Sequence, residues 1–366
     1  MQLEISREQL KRAVSKLNNA LSKTVLNALL EHILFEVKNK TLTLKTTDSQ
    51  VCVIWETSVS CTDTFSFTLP GETLCSLVSS LEGEKVTFDY NPETKDVILT
   101  CGKYTLETIS GNTENYPKLE IPVDLKEVFL PPNFDTLLES VYFSISGDSV
   151  KPDLNSLCID VNKDSSEKIN LVSTDRVRLS YASAKTTPGK HVRFVMPKSS
   201  VSKLLKLDPK VLMYDDAATK VYFKNETETE KYFFISVLTN CVYPDIYAYL
   251  NIDFKENESV LIKRHELIRL LKRISLTTEN TKLGFFEFKD KKAVISSVGS
   301  ATNKSKEEVS LEFKNVDMTL NNFTINLSFL LEYLTQEVED TVSFNIVHGK
   351  CIIFDKENYR HVLSIS

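Results

Sequence analysis

The segment LVSTDRVRLS (Leu171–Ser180) repeats a pattern that occurs earlier as LKTTDSQ (Leu44–Gln50). Both segments begin with Leu and contain Thr-Asp three positions later, and Asp175 follows Asp48 by 127 positions. Two further pairs of segments have the same offset, and they place Pro197 after Pro70 and Pro244 after Pro117. Three unrelated local patterns with one common offset indicate that the chain contains a duplicated unit.

A third, weaker copy follows the first two. Each copy opens with a strand that runs into a helix, in segments that begin at Leu3, Val128 and Val260. Each copy then has a second strand–helix step and closes with strands of alternating apolar residues, the period typical of half-buried antiparallel strands. The pattern predicts an α+β fold of three repeated domains, each with two helices packed on antiparallel sheets, with the boundaries 1–124, 125–254 and 255–366.

The composition excludes several classes of protein. The 366 residues are 42% hydrophobic and carry a net charge of -6, so the chain is neither a polycation nor rich enough in charge to be disordered. The sequence has no apolar run of the roughly 18 residues that a membrane helix needs, and no signal-peptide pattern at its start. Its seven cysteines are scattered without a CxxC pair, which predicts reduced thiols in a cytoplasmic protein that does not associate with membranes.

No pattern of catalytic or metal-ligating residues is found. The five histidines lack metal-ligand spacing, and the HExxH, GxSxG and Walker signatures are absent. Asp48 and Asp175 could form a pair of catalytic carboxylates, but an Asp after Thr at the end of a strand more commonly closes a turn through backbone hydrogen bonds. We therefore expect a protein that is not an enzyme, with no cofactor, no metal and no catalytic residue.

Basic residues concentrate on three of the six expected helices. These helices contain Arg7, Lys11, Arg12 and Lys16; Lys198 and Lys203, with Lys206 close behind; and Lys263, Arg264, Arg269, Lys272 and Arg273. Three ordinary solvated helix faces are one interpretation. Recurrence in equivalent places of a repeat favours the other, a shared surface that contacts phosphates without reading base sequence.

The repeat, the TDxxRL element (Thr174, Asp175, Arg178, Leu179) and Tyr243-Pro244-Asp245 together resemble the bacterial sliding clamp family, the beta subunit of DNA polymerase III. The resemblance extends over the whole chain and includes the stretch DLNSLCIDV that begins at Asp153. It implies that each chain forms half of a closed ring, a head-to-tail homodimer that encircles duplex DNA of any sequence. It also implies that an ATP-driven clamp loader opens the ring and that the clamp tethers a DNA polymerase.

The resemblance also implies three sets of site residues. A pocket for partner peptides between the second and third domains would be formed by Leu154, Thr174, Arg176, Val177, Arg178, Leu179, Pro244, Tyr249, Val362 and Leu363. The residues that face DNA would be Lys23, Lys151, Lys198, Lys203 and Lys206. The dimer interface would pair Tyr104 and Leu106 with Leu276 of a second copy.

The chain departs from the family pattern at the pocket. Arg176 and Val177 stand where the family usually has a small residue and a histidine, Ala248 replaces a common basic residue, and the last residues are Ser364-Ile365-Ser366. These departures leave an alternative open, a clamp-derived interaction protein that binds replication proteins without encircling DNA. A third hypothesis is an enzyme with an unrecognised site at Asp48 or Asp175.

Overall fold

The computed structural model describes residues 1–22, 28–252, 254, 259–278, 280–289, 291–299, 304–313, 322–347 and 349–366. These residues form two compact units. The first unit comprises Met1–Asp135 and Met196–Asn240, and the second comprises Thr136–Val195 and Cys241–Ser366.

The α-helices of the described residues are the two predicted for each repeat and one additional single turn, α5. The helices are α1 (Arg7–Leu17), α2 (Gly71–Ser80), α3 (Phe134–Tyr142), α4 (Lys198–Leu204), α5 (Tyr247–Leu250), α6 (Arg264–Ser275) and α7 (Leu327–Gln336). The helices α1 and α6 bury one apolar stripe at helical spacing and leave their charged residues outside, as in Leu267, Leu270, Leu271 and Ile274 of α6.

Strands make up most of the remaining structure. The first nine strands are β1 (Gln2–Ser6), β2 (His32–Lys38), β3 (Thr41–Thr47), β4 (Val51–Ser58), β5 (Phe65–Pro70), β6 (Lys85–Tyr90), β7 (Asp96–Cys101), β8 (Tyr104–Ile109) and β9 (Lys126–Phe129). The chain then continues with β10 (Ser156–Val161), β11 (Lys168–Thr174), β12 (Arg178–Lys185), β13 (Val192–Pro197), β14 (Val211–Tyr214), β15 (Lys220–Glu226) and β16 (Glu230–Val237). The last strands are β17 (Ser259–Lys263), β18 (Leu283–Lys289), β19 (Lys292–Val298), β20 (Lys306–Ser310), β21 (Glu312–Phe313), β22 (Phe323–Asn326), β23 (Thr341–Val347), β24 (Cys351–Lys356) and β25 (Tyr359–Ser364).

The first unit is built on two sheets. An eight-stranded sheet has the order β5-β2-β3-β4-β16-β15-β14-β9, and a four-stranded sheet has the order β1-β6-β7-β8. Side chains such as Phe35, Phe67 and Phe88 lie in contact in its buried core, with Phe35 and Phe67 stacked at 4.7 Å between ring centroids. Helices α1 and α2 pack against each other in this unit.

The second unit has the same plan. A nine-stranded sheet has the order β13-β10-β11-β12-β25-β24-β23-β17-β21, and a four-stranded sheet has the order β20-β19-β18-β22. Helices α6 and α7 pack against each other, and their buried faces join a core that includes Phe286, Phe344 and Phe354.

The duplication predicted from the sequence is confirmed. Strands β3, β4 and β5 have the same lengths as β11, β12 and β13 and precede each of them by 127 positions. Helices α2 and α4 both begin directly after the proline of that pattern, which ends the preceding strand. Proline fits there because the first turn of a helix leaves its N–H groups without intrahelical partners.

Each large sheet joins strands of two repeats. Strand β4 pairs antiparallel with β16, from Thr57↔Glu230 to Val51↔Ser236, and β12 pairs with β25, from Arg178↔Leu363 to Ala182↔Tyr359. Continuous main-chain pairing across the predicted boundaries explains why the structure divides into two units although the sequence repeats three times. The boundaries at 124 and 254 stay a prediction.

All seven cysteines are free thiols in this structure. Burial raises the pKa of the Cys158 thiol to about 12, so this side chain stays protonated and inert at neutral pH. Among the described helices, none combines the length and the apolar character that crossing a membrane requires.

Candidate functional site

The turn between β11 and β12 is held by two side chains. Asp175 accepts hydrogen bonds at Oδ1 from the backbone N–H groups of Val177 (3.0 Å) and Arg178 (2.9 Å). Thr174 Oγ1 donates to the carbonyl of Arg178 (2.7 Å) and accepts from the N–H of Arg176 (3.1 Å). These short-range bonds satisfy the backbone of the turn and fix the direction in which β12 leaves it.

The first repeat builds the same turn. Asp48 Oδ1 accepts from the N–H groups of Gln50 (3.0 Å) and Val51 (2.8 Å), and Thr47 Oγ1 donates to the carbonyl of Val51 (2.7 Å). Since both aspartates bind backbone groups in equivalent turns, the turn-closing role that the sequence predicted for them is confirmed.

A cavity of about 300 Å³ opens beside the Thr174–Arg178 turn, within the second unit. Its walls are the turn itself, the segment that leads into α5, and the last strand, β25. The lining residues are Thr174, Arg176, Val177, Arg178, Leu179, Pro244, Asp245, Ile246, Tyr249, Val362 and Ser364. Eight of the ten residues predicted for a partner pocket therefore surround one cavity.

Two predicted residues lie elsewhere. Leu363 is buried in the core with α6 and α7, while its neighbour Val362 belongs to the cluster beneath the cavity. Successive residues of a strand point to opposite faces, so Val362 and Ser364 share the cavity face and Leu363 cannot. The same period-two rule applied to the sequence would have found Ser364. Leu154 is buried without lining the cavity.

Arg178 forms the rigid, charged part of the cavity wall. Its side chain is 7% exposed, its Nε donates to Asp175 Oδ2 (3.0 Å), and its Nη1 is paired with Glu332 of α7. Its guanidinium also lies 4.2 Å from the centroid of the Phe329 ring, within the range of a cation–π contact. The remaining wall is mostly apolar, which suits the side-chain anchors of a short peptide.

A buried carboxylate anchors α5, the helix that carries Tyr249 to the cavity. Asp160 of β10 has no solvent-exposed surface, and it accepts hydrogen bonds from His191 Nε2 (2.5 Å), Arg193 Nη2 (2.7 Å) and the hydroxyl of Tyr247 (2.8 Å). Burial alone would raise the pKa of Asp160, but the hydrogen bonds from Arg193, Tyr247 and His191 outweigh burial and lower it. The sequence analysis missed this cluster because its four members are spread over almost ninety positions.

Changing Tyr247 to Phe should lower the free energy of unfolding by about 1.5 kcal/mol, because a hydrogen bond to a buried charge is lost. Tyr181→Phe is the matched control, since that hydroxyl donates to the neutral Asn170 Oδ1 at the same 2.8 Å. The control should cost less, about 1 kcal/mol. Urea unfolding followed by circular dichroism measures both, and equal losses would show that the charge of Asp160 does not strengthen the bond.

The predicted DNA-facing lysines have different surroundings. Lys198 begins α4, and Lys203 in its last turn is ion-paired with Asp48. Lys206 is exposed just beyond this helix. Lys151 is 54% exposed and lies 3.2 Å from Asp148 Oδ2. Lys23 lies outside the described residues. A DNA-binding role for these lysines stays a prediction.

Two of the three predicted dimer residues lie on an edge strand, and the third follows a helix. Tyr104, which is 42% exposed, and Leu106 are on β8, the last strand of its four-stranded sheet. Leu276 follows α6 and is 84% exposed. The next residue, Thr277, contacts Ser305 through its hydroxyl at 2.5 Å, so Leu276 is close to the start of β20, an edge strand of the second unit.

Within the described part of the chain, no three His, Cys, Asp or Glu side chains come together as a metal site. The cavity beside the Thr174–Arg178 turn has no histidine or thiol among its lining residues. The lining carboxylate of Asp245 accepts from the backbone N–H of Tyr247, and the lining hydroxyl of Thr174 accepts from that of Arg176.

Comparison with protein-family models matches residues 1–120 to the N-terminal domain of the DNA polymerase III beta subunit. The chain is 20% identical over 353 residues to the beta sliding clamp of Chlamydia pneumoniae, which covers 94% of this chain and 93% of that protein. The resemblance that the sequence motifs indicated is thereby confirmed.

Solved structures match the fold from end to end. The DNA polymerase III subunit beta of Pseudomonas aeruginosa superposes with a TM-score of 0.86 at 17% identity, with 100% of both chains covered. The Helicobacter pylori beta clamp bound to a DNA ligase peptide superposes with a TM-score of 0.82 at 18% identity, again with 100% of both chains covered. The predicted α+β architecture is confirmed.

Proposed function

We propose that this chain, whose resemblance to the bacterial beta sliding clamps runs along its whole length, is itself a sliding clamp. It acts as a non-enzymatic processivity factor that encircles duplex DNA as a head-to-tail homodimer. A clamp loader opens the ring, and the clamp tethers a DNA polymerase through the cavity beside the Thr174–Arg178 turn. The observation that carries the proposal is the grouping of eight predicted pocket residues around one cavity in this fold.

The sheet edges support the dimer. Strand β8 in the first unit and β20 in the second each end a four-stranded sheet, and an edge strand can add a strand from another chain. Exposed apolar side chains accompany both edges, with Tyr104 and Ile109 on β8 and Leu276 near β20. Because the two edges differ, pairing them is heterologous, and a closed two-chain ring requires two such interfaces.

The ring is tested by small-angle X-ray scattering with light scattering. We expect twice the mass of one chain and a pair-distance distribution with a central void. Leu276→Asp should give the mass of a single chain, because a charge at an apolar interface is costly to bury. Val338→Asp is the matched control, since Val338 is equally exposed but follows α7. A wild-type monomer at every concentration would contradict the ring.

Retention on circular and on linear DNA distinguishes a ring that encircles the duplex from a protein that only binds its phosphates. The protein is first diluted until the dimer dissociates. It is then concentrated again together with a nicked circular plasmid, so that dimers re-form by mass action and some rings close around the DNA. We expect the protein to co-elute with the circle and to leave after one restriction cut. Phosphate contacts that are few and salt-dependent would permit this sliding. Equal retention on circular and linear DNA would rule out encirclement.

A second candidate function is an interaction protein that binds replication proteins without encircling DNA. Two of the predicted DNA-facing lysines, Lys203 and Lys151, are paired with carboxylates of their own chain, which favours this alternative. A monomer that still binds an apolar peptide at the cavity would support it.

A further inference from the structure

Arg176 has a backbone conformation that residues other than glycine rarely adopt. Its φ is 78°, in the left-handed region where glycine is the least strained residue. In the equivalent turn of the first repeat, Ser49 takes a φ of 76° with the same pattern of hydrogen bonds around it. The turn therefore forms without an arginine, and its geometry does not account for this side chain.

The guanidinium of Arg176 is available at the cavity. Its side chain lines the cavity and is 68% exposed, and its ionic contact among the described residues is Nη2 to Asp153 Oδ2 at 3.7 Å. That distance is too long for a direct hydrogen bond. The other lining arginine, Arg178, is buried and already bound by Asp175 and Glu332. Of the two guanidinium groups in the wall, that of Arg176 is therefore the one with hydrogen-bond donors left for a ligand.

The surroundings define what these donors can bind. Next to Arg176 the cavity presents apolar side chains, among them Val177, which is 42% exposed, and Tyr249, which is 58% exposed. The lining carboxylate of Asp245 accepts from the N–H of Tyr247 (3.2 Å) at the start of α5. A ligand that fits has an apolar anchor and, beside it, a carboxylate for the planar guanidinium.

We propose that Arg176 determines specificity at this cavity by selecting partner peptides that carry an acidic residue beside an apolar anchor. This inference rests on the proposed function of the cavity as a peptide site. The peptide carboxylate takes the place of Asp153, whose long contact with Arg176 holds the guanidinium near the cavity without saturating it.

The test uses synthetic hexapeptides that keep a Leu-Phe pair and place Asp or Asn at each other position. Fluorescence anisotropy measures their affinity for the full chain. We expect Asp to be preferred over Asn three- to tenfold at one position, as for a partly exposed charge-assisted hydrogen bond. Raising the salt concentration should reduce this ratio. Arg176→Ser, the residue that the first repeat uses, should bring the Asp-to-Asn affinity ratio close to one.

Asp153→Asn serves as the second variant. It should increase the preference for Asp, since the competing carboxylate is removed. An Asp-to-Asn ratio that Arg176→Ser leaves unchanged overturns the inference while the pocket stands. Failure of every peptide to bind the wild-type protein overturns the peptide site and the inference together, so the two failures are distinguishable.

Discussion

Replacing Arg178 by Met should lower the free energy of unfolding by about 3 kcal/mol, because it removes one partner of a buried charge pair. Asp175, which is 13% exposed, would keep its two backbone hydrogen bonds but lose its counter-charge. The stacking of the guanidinium on Phe329 would also be lost. Glu332 is 50% exposed and can be hydrated, so it adds little to the cost.

Urea unfolding followed by circular dichroism measures this loss. Arg273→Met is the matched control, because Arg273 also pairs with a glutamate, Glu307, but is 56% exposed. The control should change stability little, since water competes for exposed ion pairs. If both variants lost the same small amount, the buried network of Arg178 would not stabilise the second unit. The Arg178 variant should also lose peptide binding, because this residue orders the cavity wall.

Acid should destabilise the protein through His361. This side chain has no exposed surface, and its ring stacks on Tyr333 with 4.8 Å between centroids and packs near Phe143. Burial and the nearby positive charge of Arg178 lower the pKa of His361 to about 3. Its Nδ1 is 2.8 Å from the hydroxyl of Ser180, while its Nε2 has no hydrogen-bond partner.

The sign of the effect follows from the direction of the pKa change. The unfolded chain binds a proton at His361 below about pH 6.5 and the folded chain only near pH 3, so stability is full above pH 6.5 and falls as the pH is lowered. Between pH 6.5 and pH 4 the loss from this group is about 3 kcal/mol. Carboxylates with a lowered pKa, such as Asp160 and Glu337, add their own losses at lower pH.

Urea unfolding at several pH values checks this prediction in the wild type and in His361→Asn. Asn places an amide near the position of Nδ1, so Ser180 keeps a partner, but it cannot take up a proton in this range. The variant should be less stable at pH 7.5 and show a shallower loss between pH 6.5 and pH 4. Identical slopes for the two proteins would mean that another group governs the acid response.

The local features of the fold could be predicted from the sequence. The offset of 127 between Asp48 and Asp175 marks equivalent turns, and the role of both residues follows from hydrogen bonds that span at most three positions. Strand and helix order followed from the periods of two and of 3.6, which any window of a few residues displays. The turn that forms one wall of the cavity could therefore be predicted from local sequence. Pro244 and Tyr249 could be predicted from the family resemblance.

Contacts between distant residues were decided only by the tertiary structure. Glu332 reaches Arg178 across 154 positions, and Tyr247 reaches Asp160 across 87. Such pairs leave no spacing signature, because their distance depends on how sheets and helices stack and not on the intervening sequence. The same holds for the burial of His361, which depends on side chains from α7 and β24 that surround it.

The sequence by itself determined the repeat, the class of fold and the turns, since each depends on neighbours along the chain. The tertiary structure alone decided which charges are bound and which are free. Arg176 and Arg178 stand two positions apart in one motif, yet packing buries the guanidinium of Arg178 between Asp175 and Phe329 and leaves that of Arg176 exposed at the cavity. The physical reason is that desolvation and pairing are properties of a side chain's surroundings, which form only when distant parts of the chain come together.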